Sequence, residues 1–155
     1  MNPLITRVLA TSNRLAPTLV RVGAGVAMFP HGAQKALGWF GGYGFSGTVE
    51  ELGKNFGIPA VFAVLAIAAE FLGALGLITG FLTRVSAFGV AVTMVVAAIL
   101  GKHYENGFFL NWFGNQKGEG LEYFLLILTL LVVSVIEGGG RASLDGWLTR
   151  GPKEA

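Results

Sequence analysis

Residues 29–42, FPHGAQKALGWFGG, close the first long apolar segment of this chain and place a polar cluster at its end. His31, Gln34 and Lys35 stand at positions i, i+3 and i+4, so a helix through them carries all three on one face. A tryptophan–phenylalanine pair follows, and such aromatic side chains settle at membrane–water interfaces. The stretch therefore predicts a helix that ends at a membrane surface and presents polar side chains there.

The composition indicates an integral membrane protein. Of 155 residues, 53% are hydrophobic and only 13% are charged, whereas about a quarter of the residues of a soluble domain are charged. The mean hydropathy is +0.64. The net charge of +2 comes without a basic run, which argues against nucleic acid as a partner. The absence of cysteine excludes disulfides, thiol redox chemistry and cysteine-ligated metals.

The apolar segments predict an all-α membrane protein, a four-transmembrane-helix bundle, folded as a single domain over 1–155. The predicted spans are about 15–38, 59–81, 84–102 and 121–137, and 138–155 is predicted to be a cytoplasmic tail. Between spans 1 and 2, apolar residues at helical spacing predict a short amphipathic helix on the membrane surface. Thr48 and Glu51 have the spacing of a capping box for that helix. Gly23 and Gly25 are expected to let a neighbouring helix approach closely.

Positive charge gives the orientation. With four spans, one side receives seven basic residues, namely Arg7, Arg14, Arg21, Arg84, Arg141, Arg150 and Lys153. The other side receives Lys35, Lys54, Lys102 and Lys117. The positive-inside rule then predicts a multi-pass protein of the bacterial inner (plasma) membrane with both termini in the cytoplasm. Arg21 lies inside the first span and is interpreted as a topology anchor that snorkels to the inner surface.

This topology gathers polar side chains at the outer end of the bundle. Glu70 lies near the middle of the second span, where an acid costs about 2.5–3.5 kcal/mol to insert, so it is predicted to be protonated, paired or facing a watery cavity. The third span consists almost entirely of small and β-branched residues and is interpreted as packing material. We predict an outward-opening polar cup whose candidate ligand-binding residues are His31, Gln34, Lys35, Glu70, His103, Glu122 and Tyr123.

Several alternatives for these residues stay open. Glu70 could form a buried hydrogen bond that only fixes the register of the bundle. His31 and His103 could hold a b-type haem, and together with Glu70 and Glu122 they have the ligand types for zinc or iron, although no metal-binding motif is present and no metal is predicted. No nucleophile–base pair, phosphate loop or dinucleotide fingerprint occurs, so catalysis by this chain alone is not predicted and its status as an enzyme is open.

The chain resembles the DoxX family of small four-helix bacterial inner-membrane proteins. The matching segments are Arg21, Phe29-Pro30-His31-Gly32-Ala33-Gln34-Lys35, Gly41-Gly42, Ala69-Glu70-Phe71-Leu72-Gly73, Gly80-Phe81-Leu82-Thr83-Arg84 and Gly120-Leu121-Glu122-Tyr123. The resemblance implies that the polar positions of the family are Arg21, His31, Gln34, Lys35, Glu70, Arg84 and Glu122, without assigning them reactions. Of these, Arg21 and Arg84 are predicted to be structural. It also implies a relation to small subunits of membrane oxidoreductase assemblies, including thiosulfate:quinone oxidoreductase, and to partners of a superoxide dismutase with a sulfurtransferase.

Three functional hypotheses follow. In the first, the chain is a membrane-anchoring or quinone-contacting subunit of an oxidoreductase or respiratory assembly, with no intrinsic cofactor and a quinone near the cup. In the second, it is a small-molecule or lipid-binding or transport bundle that takes an amphiphile into the cup. In the third, the polar residues only satisfy one another. The expected partners are membrane lipids and either other protein subunits or further copies in a homo-oligomer, with no nucleic acid.

Overall fold

The computed structural model describes residues 3–149, and this part of the chain is all-helical, with no strand. In chain order its helices are α1 Pro3–Leu9, α2 Leu15–Leu37, α3 Gly44–Phe56, α4 Ala60–Thr79, α5 Thr83–Leu100, α6 Glu122–Glu137 and α7 Leu144–Thr149. Two 3₁₀ turns, Trp39–Gly41 and His103–Asn106, follow α2 and α5. Arg150, Lys153 and the end of the predicted tail lie outside the described residues.

The all-helical prediction is confirmed, and two of the helices are long and apolar enough to cross a membrane. These are α4 and α5. The other two predicted spans are less apolar or shorter: α2 contains the charged residues Arg21 and Lys35, and α6 has 16 residues. That these two helices also cross the membrane stays a prediction. The ends of α2 and α4 follow the glycine rule for helix termini, because Gly38 and Gly80 adopt left-handed φ angles of 73° and 71°.

The core lies between α2, α4, α5 and α6, and glycines bring α2 and α4 into close contact. A Cβ atom at Gly25 would lie 2.9 Å from the carbonyl oxygen of Ala74, and one at Gly32 would lie 2.6 Å from the Cα of Phe71. Gly23, expected to share this role, has no such neighbour within 4 Å. The buried core includes Ala24, Met28, Ala74, Leu77, Val90, Met94, Ile127 and Leu131.

Helix α3 is present where an amphipathic helix was expected, but the predicted capping box is wrong. The helix begins at Gly44, so Thr48 lies inside it. Thr48 is buried, and its hydroxyl donates a hydrogen bond to the carbonyl oxygen of Lys35 at 3.3 Å. This bond ties α3 to the last turn of α2. On the exposed face of α3, the hydrogen bond from Lys54 lowers the pKa of Glu50.

Arg21 does not snorkel, which corrects its interpretation as a surface anchor. Its side chain is buried, at 1% exposure. The guanidinium donates to the carbonyl oxygens of Leu77 at 2.6 Å, Ile78 at 2.7 Å and Gly139 at 2.7 Å, and also to that of Ala142. Leu77 and Ile78 lie in the last turn of α4, whose carbonyl groups have no partner within the helix. Arg21 therefore closes the end of α4 and holds the loop after α6 against it.

Asp145 completes this closed end of the bundle. It is 1% exposed, and its carboxylate accepts hydrogen bonds from the backbone N–H groups of Leu82 at 2.7 Å and Thr83 at 2.8 Å. These bonds cap the start of α5, where free N–H groups favour a carboxylate. Nearby, the Nε of Arg84 donates to the carbonyl oxygen of Ala10 at 3.1 Å. The chain segments before α2 and after α6 thus cover the turn between α4 and α5.

Candidate functional site

Lys35, in the last turn of α2, and Glu70, in the middle of α4, form a partly buried ion pair about two helical turns from the Arg21 cluster. The Nζ of Lys35 lies 2.5 Å from the Oε2 of Glu70, and the two side chains are 31% and 4% exposed. The pair forms because Gly32, one turn before Lys35, packs directly on the backbone of Glu70 and Phe71. Burying a charge is unfavourable unless a well-placed partner compensates it. Glu70 therefore needs Lys35, whereas the exposed ion pairs of the chain keep their contact with water.

The pair lies in the wall of a groove of about 860 Å³ between α4 and α5. The polar residues that line the groove are Lys35, Glu70, Thr93 and His103. The Thr93 hydroxyl donates to the carbonyl oxygen of Val90 in its own helix at 2.8 Å. The apolar lining includes Leu52, Phe56, Phe62, Leu65, Phe88, Val92, Val96 and Leu100.

The groove opens sideways along the bundle rather than only at its end. Phe62 and Phe88, which line it, are 60% and 64% exposed. Helix α3 contributes Leu52 and Phe56 to its mouth. Helix α5, the third predicted span, was interpreted from the sequence as packing material, but it forms one wall of the groove. A ligand that enters from this side meets an apolar channel with one ion pair set into it.

His103 contributes a second polar group to the groove. Its Nδ1 lies 2.7 Å from the carbonyl oxygen of Glu119, and its ring packs on Phe124 at a centroid distance of 4.7 Å. A carbonyl oxygen can only accept a hydrogen bond, so Nδ1 carries the hydrogen. The loop between α5 and α6 therefore fixes both the orientation and the tautomer of this ring.

His31 and Tyr123 form a separate contact near Glu70. Their ring centroids are 5.9 Å apart, and the Tyr123 hydroxyl donates to the sulfur of Met28 at 3.3 Å. Both side chains interact electrostatically with Glu70, yet neither lines the groove. The carboxylate of Glu70 is thus close to the groove on one side and to an aromatic pair from α2 and α6 on the other.

The remaining predicted ligand-binding residues hold loops in place. The Gln34 amide donates to the carbonyl oxygen of Phe40 at 3.2 Å, which fixes the 3₁₀ turn after α2. The Glu122 carboxylate accepts from the backbone N–H of Leu110 at 3.1 Å. Of the seven residues predicted for the polar cup, the structure brings Lys35, Glu70 and His103 together in the groove and places the others outside its lining.

Sequence reasoning missed the small residues that line the groove where α4 and α5 approach each other. Ala66, Ala69 and Gly89 line it, and a Cβ atom at Gly89 would lie 3.5 Å from that of Ala69. Two features of the sequence could have indicated them: an isolated glycine within the apolar α5 segment, and the alanines that precede Glu70. Within residues 3–149 no group of three or more histidine, aspartate or glutamate side chains could hold a metal ion. The haem alternative stays a prediction.

Comparison with known proteins matches the part of the chain that contains the groove. A family model described as DoxX matches residues 16–103. No curated protein and no solved structure gives a significant match. The matched residues include Lys35, Glu70 and His103, so all three polar groups singled out in the groove fall inside the family match.

Proposed function

Because the chain belongs to the DoxX family of membrane proteins, we propose that it is a quinone-contacting subunit of a membrane oxidoreductase assembly. In this proposal, the groove between α4 and α5 holds the head group beside Lys35 and Glu70 and leaves the tail among apolar side chains. The observation that carries the proposal is an ion pair between buried Glu70 and partly exposed Lys35, set in the wall of a groove that opens sideways along the bundle.

The proposal includes a multi-pass topology in the bacterial inner membrane, with α2 and α6 crossing it beside α4 and α5. Arg21 is compatible with a spanning α2, because backbone carbonyl groups accept its hydrogen bonds and its side chain is buried. Lys35 lies near the other end of α2 and is paired. The arginine distribution then directs both termini to the cytoplasm and the groove mouth, with α3, to the outer side.

The charge balance of the groove favours a neutral head group over an anionic one. Lys35 and Glu70 compensate each other, and the nearby lysines Lys54 and Lys102 pair with Glu50 and Glu105 on the exposed surface. An anionic phosphate or carboxylate would meet the carboxylate of Glu70. The ammonium of Lys35 has three donors, of which the pair with Glu70 uses one. A quinone carbonyl can accept from the remaining donors without bringing a charge.

The volume of the groove also suits such a ligand. About 860 Å³ falls within the usual range of small-molecule sites, about 300–1,000 Å³. When bound, a quinone supplies two-electron carrier chemistry, and Lys35 would orient its head group. The electron donor would belong to a partner subunit, as the resemblance to oxidoreductase subunits implies.

Equilibrium binding tests the proposal. The purified chain in lipid nanodiscs is titrated with a short-tailed benzoquinone, alongside the variants Glu70→Gln and Glu137→Gln. Glu137 is the matched control, because it pairs with exposed Arg14 at 2.6 Å and lies outside the groove. We expect saturable binding that weakens at least tenfold in Glu70→Gln, where the ion pair is broken, and stays unchanged in Glu137→Gln. Equal affinity in all three proteins would refute a quinone site at the pair.

Native mass spectrometry of protein extracted gently from its own membrane tests the assembly. A stoichiometric partner subunit that carries a redox group supports the proposal. A lone chain or homo-oligomer that retains a lipid or another amphiphile supports the alternative of a lipid-binding or transport bundle, which the lateral opening of the groove also allows.

A further inference from the structure

We infer that the loop before α6, residues 107–121, is a membrane-binding surface that inserts aromatic side chains into the outer interface of the bilayer. We call it the aromatic loop. Its partner is the lipid bilayer itself, at the boundary between head groups and acyl chains. The inference rests on the multi-pass topology of the proposed function, because that topology places the aromatic loop at the outer surface. It adds a contact with lipid that is separate from the groove.

The aromatic loop exposes its largest apolar side chains. Trp112 and Phe113 are 78% and 91% exposed, and Phe108 and Phe109 are exposed as well. No residue from 106 to 116 is charged. Four exposed aromatic side chains within six residues are more than scattered surface residues, and exposed apolar surface of this kind marks a contact with a membrane or with another protein.

The polar side chains of the aromatic loop bond to its own backbone. The carboxylate of Glu122 accepts from the N–H of Leu110 at 3.1 Å, and that of Glu119 accepts from the N–H of Asn111 at 2.7 Å. The side chain of Asn111 donates to the carbonyl oxygen of Gln116 at 3.2 Å and accepts from its N–H at 3.0 Å. These backbone groups therefore have partners within the loop and do not depend on water, which an interface supplies less freely.

Backbone hydrogen bonds fix the aromatic loop at the end of two helices. The loop follows α5, which is long and apolar enough to cross a membrane, and leads into α6. The N–H groups of Leu121 and Glu122 donate to the carbonyl oxygens of Gly107 and Phe108 at 3.1 Å and 2.8 Å. Phe108 thus lies beside the first residue of α6. The aromatic side chains are therefore near the level at which this span would begin, at a membrane surface.

The chemistry of the loop favours lipid over a protein partner. Tryptophan combines a large apolar ring with one N–H donor, and it is enriched where acyl chains meet head groups. Because residues 106–116 are uncharged, their insertion desolvates no charge and requires no anionic lipid. The carbonyl oxygen of Glu119 also lies 2.7 Å from the ring of His103, which lines the groove. Insertion of the loop would hold this end of the groove at the membrane surface.

Fluorescence quenching of Trp112 tests the inference. The chain has three tryptophans, so Trp39→Phe combined with Trp147→Phe leaves Trp112 as the only one. This protein is placed in phosphatidylcholine nanodiscs, with and without lipids brominated in the upper part of their acyl chains, and is also exposed to aqueous iodide. We expect brominated lipid to remove about half of the Trp112 emission and iodide to remove little. Adding phosphatidylglycerol should change neither result.

Two control variants calibrate the quenchers, each in a chain whose native tryptophans are all replaced by phenylalanine. Ile99→Trp, on the exposed surface of α5, should be quenched by brominated lipid. Lys54→Trp, at a position that is 72% exposed on α3, should be quenched by iodide. Circular dichroism checks that each variant keeps its helices.

Two results would overturn the inference. Trp112 could respond as Lys54→Trp does, which would place the aromatic loop in water. It could also be shielded from both quenchers, which would mean that a protein surface, such as that of a second copy of the chain, covers it. In both cases the topology of the proposed function stands if Ile99→Trp is quenched by brominated lipid. If Ile99→Trp is not quenched by lipid, that topology fails together with the inference.

Discussion

Replacing Arg21 by methionine, which has a similar length and no charge, should strongly destabilise the bundle. The change removes four hydrogen bonds, to the carbonyl oxygens of Leu77, Ile78, Gly139 and Ala142. It also leaves buried Asp145 without the nearby positive charge with which it interacts. The last turn of α4 and the loop after α6 would then have buried carbonyl groups without partners.

The magnitude follows from opposing contributions. A hydrogen bond that involves a charged group contributes about 1.5–3 kcal/mol, so a simple sum over this guanidinium would be large. That sum is too high, because desolvation of the guanidinium offsets part of it. Removing one partner from a buried charged cluster typically destabilises a protein by about 3–5 kcal/mol. We expect Arg21→Met to lower the free energy of unfolding by an amount in that range.

The assay is reversible unfolding in mixed micelles, with increasing sodium dodecyl sulfate and helicity followed by circular dichroism. Arg14→Met is the control, because Arg14 is 68% exposed and its pair with Glu137 is on the surface. Such pairs contribute about 0–1 kcal/mol. If Arg21→Met unfolds at the same detergent fraction as Arg14→Met, the assignment of Arg21 as the residue that closes the end of α4 is refuted.

Two further predictions use other parts of the chain. Gly32→Ala should destabilise the protein by about 1–3 kcal/mol through overpacking, because its Cβ would lie 2.6 Å from the Cα of Phe71. Gly23→Ala is the control and should be neutral or slightly stabilising, because the space around Gly23 is open. Equal unfolding midpoints for the two variants would contradict the close approach of α2 and α4. Since the chain has no native cysteine, single-cysteine variants report topology: in intact cells an impermeant maleimide should label Asn115→Cys and spare Trp147→Cys, and the reverse pattern would refute the proposed orientation.

The helices themselves were accessible from the sequence. Their apolar content and their glycine ends, Gly38 and Gly80, are local features, and local features are what a sequence displays directly. Glu70 also stood out locally, because an acid within an apolar segment needs a partner or a cavity. That Lys35, 35 positions away, is the partner depends on how α2 packs on α4, which is set by the close approach at Gly32.

The functions of single polar side chains were less accessible. Arg21 was interpreted from its place in the first span, but its hydrogen-bond partners are 56 to 121 positions away in the chain. Thr48 has the spacing of a capping residue, yet α3 begins a turn earlier and its hydroxyl bonds to α2. In both cases a tertiary contact decided the role, and a local motif could not display it.

The shape of the groove was not predictable for the same reason. It depends on alanine and glycine residues of two antiparallel helices facing each other, as Ala69 and Gly89 do. Each is an ordinary small residue within its own helix. Only the packing of α4 against α5 shows that they line a groove next to Glu70.

Photoaffinity labelling tests the central claim most directly, because it reports where a quinone lies. A second furrow, between α5 and α6, is a built-in comparison: its lining includes Ala91, Leu128 and Val132 and no charged residue. A quinone with a photoreactive tail should label α4 at Phe62 or Leu65, and an excess of unlabelled ligand should suppress this. Labelling of α6 at Leu128 or Val132, or labelling that competitor does not reduce, would contradict a specific site beside Lys35 and Glu70.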